Sequence, residues 1–152
     1  MARSNRQIRK NRHTTGLGHA IMGNSSRTIT DKISEQMLVN VFQFGEATPD
    51  HLKKLIDMGN MMRIAADMMR DKTHLKVVER IYHLEQQIRS RKIEVGSYVL
   101  RTSELKLLKE IVATYDRFWM NKSQGLYDTC QAELMMFKRE VEERKLNNER
   151  LE

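Results

Sequence analysis

From Thr30 to Val141 the apolar residues of this chain return every three or four positions, in segments separated by short polar breaks. That spacing gathers them on one face of a helix and does not match the two-residue period of a strand. The single proline supports the reading by its position. It stands in Thr48-Pro49-Asp50, behind a capping hydroxyl and ahead of an acid. Proline is tolerated at a first helical residue because its missing N–H would have no partner there. No alternating stretch is long enough for a sheet, and there is no internal repeat. The expected fold is all-α: an antiparallel bundle of four or five helices with a flexible basic N-terminal arm.

The first expected helix is capped by Thr30, with Asp31 at the positive end of its dipole, and Ile33, Met37, Leu38, Val41 and Phe42 form its apolar face up to Gly45. The second carries Leu52, Leu55, Ile56, Met62, Ala66 and Met69 on one stripe and Met58, Met61, Ala65 and Met68 on another. Two stripes require cover on two sides, so residues 52–69 are expected to be the most buried helix. A third helix is expected from about Leu75 to Arg91, on a seam of Val77, Ile81, Leu84 and Ile88. Residues 92–100 contain Gly96-Ser97 and are expected to be a connector. Thr102-Ser103-Glu104 then starts the last segment, where Leu105, Leu108, Val112, Tyr115 and Trp119 keep heptad spacing. The pattern blurs at Asn121 to Gly125 and resumes with Leu126, Cys130, Leu134, Phe137 and Val141, as one bent helix or two.

Charge divides the chain more sharply than hydropathy does. Residues 1–30 hold Arg3, Arg6, Arg9, Lys10, Arg12 and Arg27 and no acid, whereas the rest holds 21 basic and 20 acidic side chains. Six of the seven net positive charges thus lie in the first fifth of the chain. The domain boundaries expected from this are an arm over 1–29, disordered or ordered by a partner, a helical bundle over 30–145, and a frayed charged tail over 146–152. An acid-free cationic arm displaces counterions from a phosphate backbone, so DNA or RNA is its favoured partner. A solubility tail and an Arg-rich transit segment are the other readings of the arm. Arg89, Arg91 and Lys92 extend the candidate phosphate track, or form a solvated helix end.

Several function classes drop out. The longest apolar run is four residues, Leu134 to Phe137, against the about 20 of a membrane span. One cysteine closes no internal disulfide, which favours a reducing, cytoplasmic setting. The five histidines show no metal-ligand spacing, and Cys130 sits on an apolar helical face with no histidine near it in sequence. No catalytic residue, metal or cofactor is expected. The methionines of residues 58–69 and the aromatics Tyr115, Phe118, Trp119 and Tyr127 read as core in preference to a binding groove or a stacking surface.

The last segment carries the candidate protein interface. An apolar seam from Leu105 to Val141 would extend about 54 Å, beyond the roughly 25–30 Å of a partner helix of 17–20 residues. The unmatched half would then be covered by a second copy or another protein, through Leu126, Leu134, Phe137 and Val141.

The segments MLVNVFQF, LKKLIDMGNMMRIAADMM and LLKEIVATYDRFWMNKSQGLYDTCQAEL, in this order, resemble small all-helical accessory proteins of bacterial phages and plasmids. The resemblance covers roughly residues 30–140. It implies a non-enzymatic cytoplasmic factor acting on host or element nucleoprotein, including one that blocks a defence complex. Most such proteins have no assigned activity, so no site residue carries over.

Overall fold

Short breaks separate five helices in a computed structural model that describes residues 29–151: α1 (Ile29–Gln43), α2 (Pro49–Met69), α3 (Leu75–Val95), α4 (Thr102–Met120) and α5 (Gln124–Leu151). No strand occurs among the described residues. Helix α2 begins where the proline placed it, with Thr48 extended at the N-cap and its backbone N–H donated to His51 Nδ1 at 2.9 Å. A neutral imidazole thus fills the reciprocal role that a glutamate or glutamine takes in a capping box.

Helix α2 is the centre of the bundle, packed against α1, α3 and α5. Leu52, Leu55, Met58, Gly59, Met61, Met62, Ala65 and Ala66 are all buried along it. Each large apolar side chain fully buried in this way contributes about 1.5–3 kcal/mol relative to exposure. The methionines divide: Met58, Met61 and Met62 are core, whereas Met68 is exposed. Gly59 sets the approach of α3, because a Cβ there would stand 3.0 Å from both Ile81 Cγ2 and Tyr82 Cε1. Beside it the Tyr82 hydroxyl donates to Asn60 Oδ1 at 2.6 Å. The crossing is antiparallel, and α5 also runs antiparallel to α2, with Lys138 Nζ 2.5 Å from Asp57 Oδ2. Helix α1 lies across α4 and seals the core with Leu38 and Phe42.

Helix α3 runs one turn further than its seam indicated. Residues 92–95 are helix rather than connector, because Gly96 at φ 85 supplies the left-handed cap and its N–H reaches the Lys92 carbonyl at 2.9 Å. The last segment is two helices. The break falls at Asn121 to Ser123, where the Ser123 hydroxyl accepts the Leu126 N–H at 3.1 Å and caps α5; Gly125 is simply helical. Trp119, fully buried, holds this corner with Phe118, Tyr127 and Tyr115 edge-on at 4.9, 4.8 and 6.2 Å. Residues 146–151, expected to fray, continue α5 as helix with exposed side chains.

Gly96→Ala tests the cap. Nothing lies within 4 Å of the added Cβ, so the cost is conformational alone, about 1 kcal/mol of lost stability in urea denaturation.

Candidate functional site

The second basic cluster forms where α3 hands over to α4, and the structure redirects it inward. Because α3 continues to Val95, Arg91 lies a turn inside the helix and faces the start of α4. Its side chain is 14% exposed, and both guanidinium ends donate to Glu104 at 2.5 Å, with a further bond to the Val99 carbonyl at 2.6 Å. Glu104 also accepts the Arg101 backbone N–H at 2.9 Å, closing the first turn of α4. These bonds to Arg91 hold the Glu104 carboxyl below the ordinary 4.5, and the same carboxylate raises the Arg91 guanidinium. Arg91, expected on a phosphate track, is therefore a clamp on the α3–α4 connection.

Arg89 donates from Nε to the buried Glu85 at 2.6 Å but keeps a side chain 61% exposed. Lys92 donates to the Gly96 carbonyl at 2.7 Å and lies 4.9 Å over the Tyr98 ring. Arg3, Arg6, Arg9, Lys10, Arg12 and Arg27 lie outside the described residues.

The apolar candidates on α5 separate into two pairs. Leu134 is buried and Leu126 is partly buried against the core, so both are covered by this chain rather than by a partner. The cover comes from α2, which reaches α5 because the corner at Trp119 turns it back onto the bundle. The uncovered stretch starts one residue later: Met135, Met136 and Phe137 are each more than half exposed, and Val141 is half-buried. Phe137 joins two cavities between α2 and α5. One, of about 370 Å³, is bounded by Ile64, Leu134 and Phe137; the other, of about 430 Å³, by Ile56, Phe137 and Val141. Together they make one groove with Ile56, Asn60 and Ile64 along its α2 wall. Sequence reasoning assigned Ile56 to the core and missed this wall, although the four-residue interval between these positions was a usable signal.

Reactive groups on the body are held quiet. Burial pushes the Cys130 thiol up to about 11, its sulfur 4.0 Å from Met68 Sδ. The described histidines have structural partners: His51 at the α2 cap, His74 edge-on to Phe118 at 4.9 Å, and His83 beside Gln87 at 3.1 Å. Among the described residues no three His, Cys, Asp or Glu side chains are grouped to hold a metal ion. No described helix is long and apolar enough to cross a membrane. No family model matches the chain, and neither a curated protein nor a solved structure matches it.

Glu104→Gln leaves the Arg91 charge, little exposed, against a neutral amide, and is expected to cost about 2 kcal/mol at neutral pH. Because folding lowers the carboxyl's proton affinity, the stabilisation is full above the ordinary value near 4.5 and is lost as pH falls through the lower folded-state value. Urea melts of wild type and variant should converge on acidification. A disulfide reagent at neutral pH should label Cys130 slowly in the native protein and at once in denaturant.

Proposed function

We propose that this protein is a non-enzymatic, cytoplasmic nucleic-acid-binding accessory factor, in which the arm over residues 1–29 contacts phosphates and the helical body serves as a rigid base. The partition of charge carries the reading: an acid-free segment with six cations precedes a body that holds 21 basic and 20 acidic residues. The body strengthens the contrast by engaging Arg89, Arg91 and Lys92 with its own oxygens. The track therefore consists of Arg3, Arg6, Arg9, Lys10 and Arg12, with Arg27 at the hinge. The chain offers no cluster of base-reading side chains, so binding is largely independent of sequence. The resemblance to phage and plasmid accessory proteins favours host or element nucleoprotein as the target.

A second reading, a protein-binding adaptor or antagonist, is favoured by the exposed Phe137 and the groove it joins. Salt distinguishes the two. Five or six phosphate contacts give a slope of log affinity against log salt of about −4 to −5 on duplex DNA, while an apolar interface responds weakly.

Full-length protein and a variant with Arg6, Arg9, Lys10 and Arg12 changed to Ala are titrated with duplex and single-stranded nucleic acid at two salt concentrations. The wild type should bind with the steep slope, and the variant should lose about four units of it on duplex. Equal binding by both, or no binding by the wild type at low salt, overturns the phosphate reading and puts the adaptor first.

A further inference from the structure

The α2–α5 groove has a length, a charge pattern and a central anchor that together select one occupant. Along α2 it runs from Lys53 to Asp67, about 21 Å. Along α5 it runs from Glu133 to Lys145, about 18 Å. One end of the groove sets Arg63 against Asp67 and Glu133, a net charge of −1. The other sets Lys53, Lys138 and Lys145 against Asp57 and Glu142, a net charge of +1. Phe137 is 58% exposed and lies between the two ends, on the walls of both cavities.

We infer that the groove is the contact between two copies of this chain. The copies are related by a two-fold axis that passes near Phe137, across the direction of the helices. Such an axis lays the negative end of each copy on the positive end of the other and brings the two Phe137 rings together at the centre. An isologous interface must be self-complementary, and a dipolar groove with an aromatic midpoint meets that requirement under one rotation only. A foreign helix of uniform charge would suit one end and be repelled at the other. Helices α2 and α5 of both copies then form a four-helix layer, with Ile56, Ile64 and Val141 closed from water around the central aromatic pair. The inference rests on reading α5 as a protein-binding helix and does not depend on the arm.

The test is sedimentation of the nuclease-treated full-length chain, so that nucleic acid cannot bridge copies. The wild type should form dimers at micromolar concentration. Phe137→Glu should weaken self-association by roughly tenfold or more with unchanged helical content, because the ring is largely outside the core. Asp67→Lys and Lys145→Glu change exposed residues, and each alone places like charges across the interface. The two together should restore dimerisation at low salt. Within one copy they stand at opposite ends of the groove, about 21 Å apart, beyond screened contact, so rescue arises only between copies. A wild type that stays monomeric, a Phe137→Glu protein that dimerises like wild type, or a double variant no better than either single one overturns the inference. The groove would then belong to a different protein, and the titration of the arm would stand unaffected.

Discussion

The bundle depends on one constraint: α2 has apolar residues on two faces and must be covered on both. A helix with a single stripe is satisfied by one neighbour, and a two-layer arrangement is enough. Helix α2 needs α3 on one side and α5 on the other, which forces the last helix to come back to the middle of the molecule. Each contact has its own device. On the α3 side Gly59 removes the side chain that would hold the helices apart, accepting roughly 1 kcal/mol of helix propensity for a closer approach. On the α5 side Met58 and Met61 present unbranched chains that adapt to Tyr115, Tyr127 and Leu134.

The two connections that make this return possible are held by different forces. At the α3–α4 handover the chain is fixed by charge: Arg91 donates to both oxygens of Glu104 and to the Val99 carbonyl. At the α4–α5 corner it is fixed by ring packing around Trp119, with the Ser123 hydroxyl capping the start of α5. The first is sensitive to acid, the second to loss of buried area.

These structural uses of charge bear on function. The basic side chains near the end of α3 are engaged by Glu85, Glu104 and a carbonyl; Arg91 is drawn inward by its carboxylate, whereas Arg89 keeps a side chain 61% exposed. The phosphate-binding reading rests chiefly on the arm, where acid-free composition motivates it. What the body does offer is the face of α5 that carries Met135, Met136 and Phe137 into solvent, although the helix stays alongside α2 through Lys138 and Val141.

Local rules were enough for the helices and their order. Spacing at three and four residues, the proline behind Thr48 and the two stripes of α2 determined an all-helical bundle with its central member, because those signals are written within a few residues of where they act. Tertiary structure alone decided the roles of residues that meet across long stretches of chain. Arg91 and Glu104 are thirteen residues apart, and Lys138 and Asp57 eighty-one; no periodicity within one helix reports either pair. The same holds for Leu134 against Phe137. Both sit on the apolar row of α5, and only the position of α2 makes one core and leaves the other exposed. Sequence determines which face of a helix is apolar, but cover is a property of the neighbour, and the neighbour is placed by the folded chain as a whole.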